Sequence, residues 1–435
     1  MTITATTAAA PPHITWTTVA DADRRRIITW QRWMLVLAIL CEICLAADWY
    51  AFAAVLPFIS QTLNLDPAQA GLAQGIFALT YGVGMVVWSP VSRTMSARRM
   101  LLIGLAGTGV GMVLQVFVQG YLELVLLRLV IGFFDAGIFI GNMKLIFGWF
   151  PQSRRGAVVG MILAAYSLAI TLDFALGIPL TLATSWRVFF AVLAIGTLIV
   201  AALDALVVRN HPQEIGIAGF RWDTAPAPAA LPLSEIFRAK WILVGGLGIA
   251  ACTFAIAGTA TWVVPAFIAV QHMAPDAGAI IGTVMGLSQV VFLVIGGYMS
   301  DRLGKLFMIK LSALLAFGTA ILFLWSVVTP MVFSMLVLFA ALSGAAVLGG
   351  GAIFALMSEK YSDALAPAAI GYAEVFGILS SFVSPWLMGA IIAASGGTFK
   401  PAFVTFAVIE AIFLVLLMVL ARESRRAPAV VRLAE

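Results

Sequence analysis

The sequence predicts an all-α polytopic membrane protein with twelve spanning helices in two six-helix bundles. Three observations carry this. Apolar residues make up 62% of 435 residues and charged residues only 10%, too few charges to cover a soluble protein of that size, where about 25% is usual. The apolar residues fall into twelve runs, each long enough for the ~20 residues that cross a bilayer. One polar interruption, at 209–240, divides the runs six and six. Disorder is excluded, because it requires low hydrophobicity.

The runs lie at about 33–60, 69–92, 100–119, 122–147, 156–182 and 187–208. After the interruption they resume at about 241–270, 277–299, 307–327, 331–357, 367–394 and 402–421. The implied organisation is a tail (1–27), a bundle (28–208), a central loop (209–240), a second bundle (241–421) and a tail (422–435). The first 27 residues contain Arg24, Arg25 and Arg26 with no apolar stretch before them. They do not read as a cleavable signal peptide, so the first span is expected to be retained. The central loop carries His211-Pro212 and the Pro-rich stretch from Ala225 to Pro228.

Orientation follows from basic residues. Of 25 Lys and Arg, all but Arg128, Lys144, Arg187 and Lys400 lie in the tails, in the even-numbered connections or at their margins. The positive-inside rule then places both tails and the central loop in the cytoplasm, with the chain in the cell (inner) membrane. The net charge of +5 is dispersed in short clusters, which is a topology pattern and not a nucleic-acid footprint. Cys41, Cys44 and Cys252 all lie in apolar runs, so no disulfide framework is expected. No metal or cofactor is expected, and no ATP-binding signature is present. The 6+6 layout suggests paired bundles with a substrate site between them near the midplane. The expected partners are a small-molecule substrate with a co-transported proton and the lipid bilayer; a monomer is what the family resemblance given below implies.

Ionisable residues are expensive inside a membrane and are functional candidates by default. The runs contain Glu42, Asp48, Arg128, Asp135, Lys144, Asp173, Glu374 and Glu410. Asp48 and Asp135 lie near the middles of the first and fourth spans. Burial and nearby charge together set a carboxylate's affinity for protons, so both are candidates to carry a coupling proton, or to order the bundle as static ion pairs. Arg128 precedes Asp135 by seven residues, two turns on one face, where it would modulate that acid. Asp173 would bind substrate or ion, or satisfy a neighbour such as Lys144. Lys144 would attract an anion or snorkel to the interface. Glu374 would face the cavity or an inner gate. Glu410, in the twelfth span, reads as structural, and Glu42 has no assigned role. Trp49, Tyr81, Trp262 and Gln289 are uncharged candidates for the cavity wall. Gly349, Gly350, Gly351 and Pro265 are flexing points or close-packing sites.

After the eighth run the chain reads Gly297-Tyr298-Met299-Ser300-Asp301-Arg302-Leu303-Gly304-Lys305. This resembles the G-x-x-x-D-R-x-G-R/K signature of the major facilitator superfamily, in which it serves the inner gate. The matching place after the second run has Ser89 and Arg93 where Gly and Asp are the pattern. The fourth run reads Arg128-x-x-x-Gly132-x-x-Asp135-Ala136, followed by Trp149-Phe150-Pro151. That is similar to the anion:cation symporter family of hexuronate, galactonate and sialic-acid carriers, whose pattern is R-x-x-x-G-x-x-E-A and then W-F-P. Tyr81 also matches a tyrosine of that family. Its first-span D-R-x-N appears here as Asp48-Trp49-Tyr50-Ala51. The resemblance implies proton coupling at Asp48 and Asp135. It does not transfer the family arginine that grips a carboxylate, because Trp49 stands there. The expectation is therefore an alternating-access symporter of a small organic carboxylate with protons, the alternative being a proton-coupled exporter of a cationic or neutral solute. No catalytic residues are expected.

Overall fold

The computed structural model describes residues 14–222, 240–361 and 366–426. The Pro-rich stretch from Ala225 to Pro228 lies outside them. Twelve helices among the described residues are long and apolar enough to cross a membrane. They are α1 (Asp21–Ala54), α2 (Pro67–Val91), α3 (Ala97–Gln115), α4 (Tyr121–Trp149), α5 (Gln152–Ala183) and α6 (Trp186–Val207). The second set is α7 (Trp241–Val270), α8 (Ala277–Leu303), α9 (Lys305–Val328), α10 (Phe333–Lys360), α11 (Ala366–Ala394) and α12 (Lys400–Arg426). Large apolar side chains such as Val110, Phe117, Ile199, Val294 and Val415 are exposed, as suits helices whose outer solvent is hydrocarbon.

Local chemistry explains the breaks. The helix of α1 starts at Asp21, inside the segment expected as tail, and carries Asp21 and Asp23 in its first turn, where acids complement the helix dipole. A helix outlasts the bilayer when its charged turns remain in water. Beyond Ala54 the helix breaks at Val55 and a short helix, Leu56–Leu63, follows, because Pro57 lacks the N–H that an unbroken helix needs. Asp66 caps α2 in a reciprocal box with Gln69. Gly304, at φ 90°, separates α8 from α9, a backbone conformation that glycine adopts without steric cost.

The tenth span is not one helix. It runs as Phe333–Ser343, a 3-10 turn over Gly344–Val347, and Gly350–Lys360. Serines from neighbouring helices satisfy the break: the Gly344 N–H donates to Ser288 Oγ at 3.1 Å, and Ser312 Oγ donates to the Ala346 carbonyl at 2.7 Å. Gly349 lies against Met308, Ile309 and Ser312, and Gly296 of α8 lies directly on the Leu348 backbone. Gly349 is thus a close-packing position. Pro265 is accommodated within a continuous α7.

The described ends of the chain, before α1 and at the close of α12, and residues 208–222 after α6 lie on one side, the terminal face. There residues 14–16 are tied to the segment after α6. Ile14 pairs with Phe220 in an isolated parallel bridge, Trp16 packs on Trp222, and Trp222 Nε1 donates to the Gly148 carbonyl at 3.0 Å.

The halves meet along two seams, α2 against α11 and α5 against α8. Both are tight on the far side. Gly71 and Gly75 rest on the Pro385 and Phe382 carbonyls, Gly282 on the Phe174 ring and Gly286 on the Thr171 backbone. The core repeats this asymmetry. One apolar cluster joins the first bundle to far-side residues of the second, such as Phe254, Phe323, Met388 and Phe403. The terminal-side residues of the second bundle, including Val244, Met308, Ile353 and Ala373, form a separate core. The molecule is closed on the far side and parted on the terminal side.

Replacing Gly296 with Val drives a branched side chain into the Leu348 backbone. Overpacking of this kind costs about 1–3 kcal/mol. We expect a lower midpoint of thermal unfolding in detergent, and an unchanged midpoint would contradict the packing.

Candidate functional site

The site is built on α4. Gly132, one turn after Arg128, has no room for a side chain against the Phe77 carbonyl and Thr80 of α2. This close approach brings Arg128 Nε to the Ala73 carbonyl at 3.3 Å. Nη1 donates to the Asp48 carbonyl at 3.2 Å and faces Asp48 Oδ1 at 3.9 Å. Both side chains are fully buried. The guanidinium lies between the Phe52 and Phe77 rings, 4.8 and 4.4 Å from their centroids, an arrangement in which ring faces attract a cation. Arg128 Nη2 and both carboxylate oxygens of Asp48 have no hydrogen-bond partner.

Asp135 lies two turns along α4. Thr108 of α3 donates its hydroxyl to Asp135 Oδ1 at 2.5 Å, and Oδ2 is without a partner. Arg128 therefore pairs directly with α1 and not with Asp135, although both acids remain within its electrostatic reach. Asp173 of α5 is buried, within reach of Asp48, with Oδ2 unpartnered. Trp49 packs beside this group. Its ring lies 4.9 Å from Phe77, 5.2 Å from Tyr81 and 6.3 Å from Tyr166. Gln74 donates to the Trp49 carbonyl at 3.2 Å. Glu374 of α11 is partly exposed and acts electrostatically on Tyr81, which connects the second bundle to the same region.

Other candidates go elsewhere. Lys144 does not reach Asp173, nor is its charge offered to a substrate here. Its Nζ donates to the Ser92 and Met95 carbonyls at 2.5 and 2.8 Å, because the carbonyls ending α2 have no helical partner of their own. Gln289 is buried on α8 beside the α10 break, with Oε1 unpartnered. Trp262 is part of the closed far side, donating to the Pro385 carbonyl at 2.9 Å. Glu410 is fully buried, and neither carboxylate oxygen has a partner. At the terminal face Lys305 pairs with Glu359 and Arg302 covers the Tyr298 ring. Gly297 and Asp301 face open space, and Asp301 has no partner among the described residues.

Sequence reasoning left Glu42 without a role and missed Asp204 and Thr108. Glu42 accepts from Asn142 at 3.4 Å. It therefore meets α4, as Asp48 does, although the two acids lie on different sectors of α1. Asp204, buried on α6, accepts from Cys41 Sγ at 3.0 Å. Its place in the last turn of an apolar run disguised it as a helix end. Thr108 carried no signal, since an isolated threonine in a span usually bonds its own helix. Among the described residues no group of His, Cys, Asp and Glu is placed to hold a metal ion.

The profile of the Major Facilitator Superfamily matches residues 38–332 and 247–435. The chain belongs to that superfamily. It is 22% identical over 260 residues to the hexuronate transporter of Bacillus subtilis, covering 59% of this chain and 61% of that one. It is 25% identical over 221 residues to the probable sulfoacetate transporter SauU of Cupriavidus necator, covering 48% and 51%. The chain thus spans about half to three-fifths of the length of these relatives. Among solved structures it is similar to a bacterial homolog of the human lysosomal transporter Spinster, with a TM-score of 0.73, 16% identity and coverage of 91% and 97%. At that identity the likeness concerns the fold. By its twelve candidate spans and its family the chain is a multi-pass membrane protein.

Removing one member of a buried ion pair leaves the other charge uncompensated, at about 3–5 kcal/mol. Arg128→Met should therefore destabilise the protein by that order. Adding Asp48→Asn should restore much of the loss, which a double-mutant cycle of thermal unfolding in detergent would show. Strict additivity would mean that the two side chains do not interact.

Proposed function

We propose that this chain carries a small organic anion together with protons by alternating access. The terminal face is then the cytoplasmic one, and the structure stands in the inward-facing state. One observation supports the reading above all: Arg128 is a buried cation with an unpartnered Nη2, held opposite an Asp48 carboxylate that accepts no hydrogen bond. Protonating Asp48 removes the counter-charge of Arg128, and the guanidinium then attracts another anion. Proton binding and anion binding become linked through one side chain. Asp135, on the same helix and sharing that cation's field, is the second proton carrier. Relatives named for hexuronate and sulfoacetate transport support an organic acid as the substrate.

A specific feature favours a second reading. Lys144 spends its charge on loop carbonyls and Arg128 is enclosed by rings, while Asp48, Asp135, Asp173 and Glu374 surround the same region. That balance would also suit export of a cationic or neutral solute by proton exchange.

Purified protein in proteoliposomes separates the two. An imposed inward proton gradient should accumulate a labelled hexuronate or other small organic acid, and a protonophore should abolish the accumulation. If gradients drive only cations or neutral solutes, the anion reading is wrong. Asp48→Asn and Asp135→Asn should each reduce uphill uptake at least tenfold while sparing counterflow exchange. Normal uphill uptake in both variants would remove them from the coupling role.

A further inference from the structure

Asp48 and Asp135 are fully buried. Aromatic rings fill the space beside them, Phe52 and Phe77 against Arg128, and Trp49 against Phe77 and Tyr81. A proton bound at either acid needs a way to water that these rings do not offer.

The face of α1 that carries Asp48 holds other polar groups. Cys41, Cys44 and Asp48 follow the three- and four-residue spacing that stacks side chains on one side of a helix. The stripe runs from Asp48 towards the terminal face over about 10 Å. Cys44 lies beside Thr197 of α6 and within electrostatic reach of Asp48, Asp135 and Asp204. Cys41 is within reach of Cys44 and Glu42, and its Sγ donates to Asp204 Oδ2 at 3.0 Å. Glu42 itself lies on the adjoining sector of α1, where Asn142 donates to it. Thr197 and Asp204 are seven residues apart, two turns on one face of α6, so the facing helix repeats the stripe. Both cysteines are free thiols, and a thiol can donate and accept hydrogen bonds.

Asp204 ends the stripe. It is buried only three residues before the close of α6 at Val207, and its Oδ1 has no hydrogen-bond partner. Arg98, at the start of α3, donates from its side chain to the neighbouring Ala205 carbonyl and from its N–H to Asn210. Both Arg98 and Asn210 are half-buried, so the aspartate stands at the border of the terminal face. A buried carboxylate oxygen without a partner is costly, and packing alone gives no reason to keep one there.

We propose that Cys44, Cys41 and Asp204 form a proton path inside the first bundle, linking Asp48 and Asp135 to the terminal side, with Asp204 as the group that exchanges the proton with water. The Asp48 proton passes to Cys44 as the Cys44 proton passes to Cys41 and the Cys41 proton to Asp204 Oδ2, directly or across an intervening water. The moves are concerted, so each thiol ends neutral. Asp48 ends as the carboxylate and Asp204 as the acid, which then releases its proton on the terminal side. Asp135 enters the same path at Cys44. The proposal rests on the proton-coupling reading, but not on the substrate.

The test needs no substrate. Full-length protein is given a pH jump and followed by rapid-mixing infrared spectroscopy, the carboxyl band lost in Asp48→Asn marking Asp48. Protonation of Asp48 should be at least tenfold slower in Asp204→Asn and in Cys41→Val, which keeps a similar volume without the S–H. Asp204→Glu and Cys41→Ser retain an exchangeable proton and should stay within twofold of the unaltered chain, a division that a merely structural role would not produce. Either slowed variant decides the question if the other does not fold. A normal rate in Asp204→Asn or Cys41→Val, or equal slowing in Asp204→Glu or Cys41→Ser, overturns the path. If no Asp48 band titrates in the unaltered chain, the coupling reading itself fails, an outcome distinct from a band that titrates at the same rate in every variant.

Discussion

Burying one guanidinium inside the first bundle constrains everything around it. A lone charge in a low-dielectric interior costs several kcal/mol, even after relaxation. Arg128 offsets this with the Asp48 carboxylate, two backbone carbonyls and two aromatic faces. The partners come from two other helices: α1 supplies Asp48 and Phe52, and α2 supplies Ala73 and Phe77. The three helices must therefore meet at one depth, and Gly132 is the small residue that permits it. Moving any of the three would expose the cation or strip it of partners. These shared contacts tie α1, α2 and α4 into one body and oppose independent sliding of the three helices.

On the alternating-access reading, that rigidity places motion at the seams. The closed half of each seam sets backbone or side-chain atoms of one helix directly on glycine of the other, a contact that is either fully made or fully lost. Such surfaces favour two discrete arrangements over a continuum. The broken α10 fits the same logic. Its 3-10 turn is anchored by Ser288 and Ser312, so the interruption is a satisfied joint within the second bundle, not a loose segment.

Much of this was legible in the sequence. Twelve apolar runs and the long polar interruption predicted the spans, because hydropathy is nearly the only requirement a bilayer imposes on a helix. The spacing of Arg128, Gly132 and Asp135 marked α4 because charge in a span demands a reason. The identity of the partners was not legible. Arg128 was expected to modulate Asp135, its neighbour on the helix face; that influence is electrostatic only, since its direct contacts go to Asp48, the α2 backbone and two rings. Lys144 was a candidate for anion attraction. Its ammonium is taken by Ser92 and Met95, whose free carbonyls depend on where α2 stops. Asp204 escaped notice because a carboxylate near the end of a run resembles an interfacial one, and only the fold shows it buried against Cys41.

Trp49 gives the local departure from the symporter pattern a physical meaning. A site with an arginine on the first span and another on the fourth can hold a carboxylate with one while the other balances the acids. Here an indole packed on Phe77 and Tyr81 fills the first position, which on the proposed reading leaves Arg128 with both tasks. On the proposed reading an anion can recruit it only when Asp48 is neutral. Binding of an anion without a proton would leave two negative groups competing for one cation in a medium that screens poorly. The loss of one arginine would then tighten coupling at the expense of affinity. It would also favour substrates with an apolar or aromatic-compatible body, since the wall opposite the cation offers rings where a charge would otherwise stand.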